Sequence, residues 1–242
     1  MSAGGKTLDP AVLQGMRLFA GLDRDALADC ARRARTRRIA SGTSIFTQGE
    51  PAQACHALVD GQVKITQADG RGRRVIVRYI GPGEMFGAMG VFTGGAYLAD
   101  AAAVSDCVEI RWPARAMTEL MLRHPQIALN ALSMVAHRLQ GMQARTRELI
   151  AEPAERRLAR ALFRLAHQAG RISPRGVEIG FPLSRRDLAD ITGSTHYTAS
   201  RALAEWAKLG VIESARKHVL VRDLKRLADI AEGKFVAGAA RA

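Results

Sequence analysis

The sequence predicts an α+β chain in three parts: an all-β unit led by short helices, one long helix, and a unit in which two helices meet at a glycine turn before a β-wing. Three observations predict it. Between Ile39 and Trp112, short apolar runs alternate with Gly, Asp and Pro punctuation, as closely spaced strands do. From Ala128 to Leu149, helix-facing positions recur at intervals of 4, 3, 4, 3, 4 and 3. From Ser184 to Lys208, two helical patterns are separated only by Gly193 and its neighbours. The boundaries that follow are 1–124, 125–153 and 154–242.

Leu8 to Arg38 reads as short helices, with Asp23 placed to cap Arg24 to Arg33. Asp60-Gly61 is a turn dipeptide, and Val63-Lys64-Ile65-Thr66 follows it as the clearest strand. Val75, Val77 and Tyr79 alternate with Ile76, Arg78 and Ile80, so the next strand is half buried; Ala68 to Gly72 joins the two. Gly81-Pro82-Gly83-Glu84 ends that run. A sandwich and a barrel fit this order equally.

Pro113 opens helical territory and Pro125 starts the long helix, since proline suits a first turn. As one helix, Gln126 to Ile150 reaches about 37 Å. Ala128, Leu132, Val135, Leu139, Met142, Thr146 and Leu149 form a seam of about three heptads. Such a seam packs either on the chain's own β unit or on a second copy. The helix is long, ends in polar residues and stands between two units, which favours a homodimer. Glu152-Pro153 breaks it and marks a hinge.

Composition narrows the function. The 242 residues carry a net charge of +13, which suits a polyanionic partner. From Ala154 onward there are 17 Lys and Arg against 9 Asp and Glu, a denser excess than the 19 against 14 before it. No run of about 18 apolar residues offers a membrane span. Met1 to Pro10 lacks the features of a secretory signal, so the cytoplasm is the expected location. Cys30, Cys55 and Cys107 lie far apart, which fits neither a disulfide framework nor an iron–sulfur cluster. There is no G-x-S-x-G, P-loop or metal-spaced His pair, and residues 39–112 hold a single His, so an enzyme is not expected.

The C-terminal unit carries the functional signal. Ser184 caps a helix that Gly193 ends, and a second helix runs from Thr195 to Lys208. Val211-Ile212-Glu213, the basic tip Arg216-Lys217-His218 and Val219-Leu220-Val221 complete a wing. On the second helix, Ala199, Ala202, Leu203 and Trp206 gather on one side as core. Tyr197, Arg201, Ala204 and Lys208 stand opposite, flanked by Ser200. This is the geometry of a helix entering the major groove of double-stranded DNA. Arg201 is expected to read guanine, with His196, Tyr197, Thr198 and Ser200 at neighbouring base edges. Lys208, Arg185, Arg216 and Lys217 suit phosphates.

The segment Gly81 to Gly87, the long helix ending near Ile150 and the stretch Leu183 to Val221 together resemble the Crp–Fnr family of bacterial regulators, over roughly residues 15–232. The resemblance implies a cyclic-nucleotide-binding-like jelly-roll barrel, a dimerisation helix and a winged helix-turn-helix. It further implies palindromic operators, RNA polymerase as a partner, an activator's role and a small-molecule or gas effector. Family members read DNA through a pattern like Ser-Arg-Glu-Thr-Val-x-Arg; here Thr195 to Arg201 keeps the final Arg as the guanine reader, while His196 and Tyr197 stand at the Arg and Glu positions. The implied effector pocket comprises Gly87, Ala88, Met89, Tyr97 and Leu98. It lacks the Glu and the Arg-Ser pair of cyclic-AMP binders and places Asp100 nearby, so cyclic AMP is not the expected ligand. The run Thr192 to Trp206 is most similar to the branch that answers nitric oxide and nitrogen oxides. That similarity suggests haem, for which His56 and His124 are the candidate ligands; Cys55 and Cys107 suggest redox sensing as an alternative.

Overall fold

The computed structural model describes residues 8–68, 74–215 and 217–234. The chain divides into two compact units, 1–141 and 142–242. That division falls inside the long helix.

In the first unit, α1 (Ala11–Gln14), a 3-10 turn (Arg17–Phe19) and α2 (Arg24–Arg32) precede the strands. The strands are β1 (Arg35–Ile39), β2 (Ser44–Phe46), β3 (Ala54–Asp60), β4 (Val63–Ala68), β5 (Arg74–Ile80), β6 (Met85–Phe86), β7 (Asp100–Ala103) and β8 (Cys107–Pro113), with α3 (Ala88–Phe92) between β6 and β7. They form two four-stranded sheets, ordered β1-β8-β3-β6 and β2-β7-β4-β5, the antiparallel jelly roll the sequence reading expected. Both sheets give side chains to one core: Ile39, Leu58, Phe86 and Cys107 from the first, Phe46, Val63, Ile65, Ile80 and Ala101 from the second.

The outer face of the first sheet is also covered. Cys55, Ala57, Ile110 and Trp112 pack there with Leu13, Phe19, Leu27, and with Met117 and Leu120 of α4 (Ala114–Arg123). This explains why β3 is buried on both faces from Ala54 to Leu58 and shows no apolar–polar alternation there beyond His56. Trp112 anchors the layer: fully buried, it donates its indole N–H to the Cys30 carbonyl at 2.9 Å and lies 5.2 Å from the Phe19 ring. Gly61 makes the β3–β4 turn at a φ of 91°, where a Cβ would sit 2.3 Å from the Asp106 carbonyl oxygen.

Two expectations need correction here. Residues 35–38 form an edge strand, not helix; Arg35, Arg37 and Arg38 show no apolar alternation because the strand's identity comes from its partner β8. Residues 171–180 read from the sequence as a loop with a β-like Val177-Glu178-Ile179; that stretch is strand β10 (Gly176–Ile179), and Gly170–Ser173 pairs with it as β9 in a hairpin rather than a loop. Part of the expected 68–72 loop lies outside the described residues.

The long helix, α5, spans Pro125–Ala151. Ile127 and Ala131 are buried in the first unit's outer layer, and Met134 packs against it. The second unit contains α6 (Ala154–Ala169), the β9–β10 hairpin, α7 (Arg185–Thr192), α8 (His196–Lys208), β11 (Ile212–Ala215), β12 (His218–Val221) and α9 (Leu224–Glu232). Its sheet runs β11-β12-β10-β9. Among the described residues, no helix is long and apolar enough to cross a membrane.

Replacing Trp112 with Ala should destabilise the first unit by about 3–5 kcal/mol. Urea denaturation followed by circular dichroism should show an earlier β-unit transition. Trp206 fluorescence, then the sole tryptophan signal, should keep its midpoint.

Candidate functional site

The two helices of the candidate DNA reader are defined by their caps. Ser184 and Asp187 make a reciprocal capping box at the start of α7, with the Asp187 N–H donating to Ser184 Oγ at 3.1 Å and the Ser184 N–H to Asp187 Oδ2 at 2.8 Å. Gly193, at a φ of 59°, closes α7 in the left-handed region. Two residues later, the Thr195 side chain accepts from the Thr198 N–H at 3.1 Å and opens α8. Ala199, Ala202, Leu203 and Trp206 are buried on the inner face of α8. The Trp206 indole N–H donates to Glu155 Oε1 at 3.2 Å, tying α8 to α6.

His196, Tyr197, Arg201, Ala204 and Lys208 are exposed on the outer face, as the helical spacing predicts. Tyr197 is 75% exposed. Arg185 is exposed in the first turn of α7, and Lys217 at the wing tip, with a φ of 63°. The Leu183 N–H donates to the Lys217 carbonyl at 2.9 Å, holding the wing tip to the lead-in of α7. Arg216 lies outside the described residues.

Two of the expected base-edge residues have hydroxyls turned inward or held at the cap. Ser200 Oγ is buried and has no hydrogen-bond partner, so its oxygen faces the protein interior. Thr198 Oγ1 is 2.8 Å from Thr195 Oγ1 and is engaged at the cap. Conversely, Arg186 is exposed beside Arg185 and was overlooked; its place in the first turn after Ser184 was the available signal. Arg175 and Arg222 of the wing sheet both pair with Glu213, so their charge is partly neutralised.

The jelly-roll interior is occupied by the protein itself. His56, on β3, points into the inner core, with Nδ1 bonded to Glu109 Oε1 and Nε2 3.1 Å from the Tyr97 hydroxyl. That hydroxyl donates to the Ala54 carbonyl at 3.0 Å. Arg37 Nε donates to Glu109 Oε2 at 2.6 Å. Phe46 stacks on Tyr97 with ring centroids 3.8 Å apart. Gly87 stands against this cluster at a φ of 72°, and a Cβ there would lie 2.8 Å from His56 Cδ2 and 3.1 Å from both Phe46 and Tyr97. Of the expected pocket residues, Gly87 and Tyr97 therefore converge, Ala88 packs against the outer core, and Met89 and Leu98 are turned to the surface.

Burial alone would raise the Glu109 carboxyl. The hydrogen bond and charge of His56, followed by those of Arg37, outweigh it and hold the group below its ordinary 4.5.

His56 has both ring nitrogens committed and offers none to a haem iron. His124 bonds Asp29 Oδ2 through Nε2 at 3.1 Å, and Arg33 and Arg123 share that carboxylate, a cationic setting unsuited to a metal ion. The thiols do not suit redox sensing either. All three are buried, and burial pushes Cys30 up to about 11, Cys55 to about 12 and Cys107 above its usual value, whereas the reactive form is the thiolate.

Comparison with known proteins agrees with this architecture. Residues 36–124 match the cyclic nucleotide-binding domain family, and residues 156–230 match the Crp-like helix-turn-helix domain family. The chain is 30% identical to the nitrogen fixation regulation protein FixK of Azorhizobium caulinodans, over 78% of this chain and 75% of that one. It is 26% identical to the CRP-like cAMP-activated global transcriptional regulator of Mycobacterium tuberculosis, over 90% and 97%. A solved CRP-family transcriptional regulator from Thermus thermophilus superposes with a TM-score of 0.67 at 28% identity, covering 81% of this chain and 96% of that one.

Two substitutions separate reading from packing on α8. Against a duplex selected by the wild-type chain, Arg201→Ala should cost about 1–3 kcal/mol and relax preference at one base pair. Ser200→Ala should leave base preference unchanged and stability equal or improved, since it removes a buried hydroxyl without a partner. Fluorescence anisotropy and thermal melts measure both.

The Glu109 linkage gives a pH prediction. Because its folded pKa is depressed, its stabilisation is complete above about 4.5 and is lost as pH falls through the folded value. Glu109→Gln should destabilise the first unit at pH 7, leaving His56 and Arg37 without their carboxylate, and should flatten its pH dependence below 4.5. Urea denaturation across pH 3–7 checks the sign.

Proposed function

This chain belongs to the Crp–Fnr family of DNA-binding transcription regulators, and on that premise we propose that it acts as a homodimer on palindromic operators, with α8 of each copy in successive major grooves. The observation that carries this reading is the state of α5. Its Ile127–Ala131–Met134 face packs on the chain's own β unit, but the neighbouring seam does not. Leu132 is 65% exposed, Leu139 56%, Met142 60% and Leu149 47%; Ala128 and Thr146 are exposed and Val135 is half-buried. An apolar stripe at heptad spacing that its own chain leaves largely exposed fits a second copy of the same helix.

The N-terminal unit supplies the control element. An effector there would alter how paired α5 helices meet and so bias the two α8 helices toward operator spacing. The chain works as an activator that brings RNA polymerase to its operators. Cyclic AMP does not suit it. Ala88 follows Gly87, Leu98 and Ala99 provide no cation, and Phe46, His56 and Tyr97 occupy the space before Gly87. That packed interior favours either a small ligand of different shape or DNA binding without any ligand. A haem-based response to nitric oxide has no support from His56 or His124.

Leu132→Glu with Leu139→Glu should convert the chain to a folded monomer, because both side chains are exposed. Sedimentation velocity should record half the wild-type mass, and affinity for an inverted-repeat duplex should fall at least a hundredfold. Wild-type affinity should fall by about 10³–10⁵ between 50 and 200 mM salt if six to ten phosphates are contacted. A variant that stays dimeric with unchanged affinity would remove this reading.

A further inference from the structure

We propose that Arg157 is a positioning residue for operator recognition: without touching DNA, it fixes the heading of α8 relative to the end of α5 and so sets the half-site spacing that the regulator accepts. The inference rests on the dimer reading of the α5 seam.

The sequence suggests a free hinge at Glu152–Pro153, where α5 ends and α6 begins. The structure bridges that break instead. Arg157 Nη1 donates to the Glu152 carbonyl at 2.7 Å, Nε to the Thr192 carbonyl at 3.0 Å, and Nη2 to the Gly193 carbonyl at 3.3 Å. The first acceptor lies just past the end of α5; the other two close α7 at the turn into α8. Helix C-termini present carbonyls without intrahelical partners and the negative end of the helix dipole, so both ends call for a cationic donor. A guanidinium meets both at once, because its donors are held in one rigid plane; a lysine's single ammonium cannot span three acceptors in this way.

Neighbouring contacts reinforce the join. Arg160 reaches Glu152 Oε1 at 2.7 Å and Glu148 Oε1 at 3.4 Å, both on the α5 side of the break, and donates from Nε to the Ala231 carbonyl of α9 at 3.0 Å. Gly193 lies so near α5 that a Cβ there would come within 2.9 Å of Leu149 Cδ2. Leu149 is itself a seam position. The last turns of α5, which carry Met142, Thr146 and Leu149, therefore move with the turn that launches α8. In a dimer paired through that seam, the heading of α8 from α5 determines how far apart the two reading helices stand.

The test uses the full-length chain and an inverted-repeat duplex selected by the wild type from a random library. Affinity is then measured for duplexes whose half-sites are moved together or apart by one or two base pairs. The wild type should lose about tenfold or more at altered spacing. Arg157→Gln should cut that penalty to within about threefold while keeping wild-type base preference inside each half-site. Arg157→Lys, which keeps the stem and charge and so guards against simple misfolding, should relax spacing as well. Dimer mass and circular dichroism are read on the same samples. A wild-type spacing penalty retained in both variants would overturn the role of Arg157 alone. A wild type indifferent to spacing would remove the dimer reading and this inference together.

Discussion

A helix has only so much circumference to bury, and α5 uses two separate parts of it. Its inner stripe, from Ile127 through Ala131 to Met134, is fixed on the β unit, and that contact ends before the helix is half finished. The seam beside it continues for several more turns with Leu139 and Met142 largely exposed and Leu149 partly so. At about 25 cal/mol per Å² of apolar surface, covering these side chains supplies a driving force of several kcal/mol for association. The reading of the two α8 helices as a matched pair depends on that force. So does any control exerted from the β unit, because α5 is the only continuous element that leaves it for the second unit.

The β unit solves a different problem. It places a carboxylate, Glu109, with no solvent exposure between two sheets. Such a group is tolerated only when its acceptors are filled, and His56 and Arg37 fill them. The same arrangement commits His56 and Tyr97 to each other and stacks Phe46 over Tyr97, so the inner space is taken by side chains. A jelly roll related to ligand-binding domains has here been given a polar interior network. The strand framework itself is held by Leu58, Val63, Ile80 and Ala101.

What was legible in the sequence follows how local each determinant is. The α7–α8 pair was readable because its signals are short-range: Ser184 with Asp187, Gly193 in the left-handed region, Thr195 at the next cap, and a core face at helical spacing. The long helix was readable from its heptads. Strand β1 was not, since Arg35 to Arg38 carry no pattern of their own and pair with residues 70 or more positions away. Of the β9–β10 hairpin, the apolar Val177-Glu178-Ile179 was legible as β-like, whereas Gly170 to Ser173 carry no strand pattern of their own and are strand through pairing with β10. On α8, helical spacing placed Ser200 beside the exposed face but could not say that its hydroxyl turns inward. His56 stood out as a lone histidine; its use by Glu109 depends on a strand crossing that no spacing encodes. Arg157 gave no signal, because its three acceptors are backbone carbonyls.

The central claim is that two copies of this chain, joined along the α5 seam, present one α8 each to a single duplex. Native mass spectrometry of the wild-type chain with a selected inverted-repeat duplex counts those copies directly. The account predicts complexes of two chains per duplex, with singly occupied duplex scarce even when DNA is in excess. A prevailing species of one chain bound to the full repeat at the same affinity would contradict it.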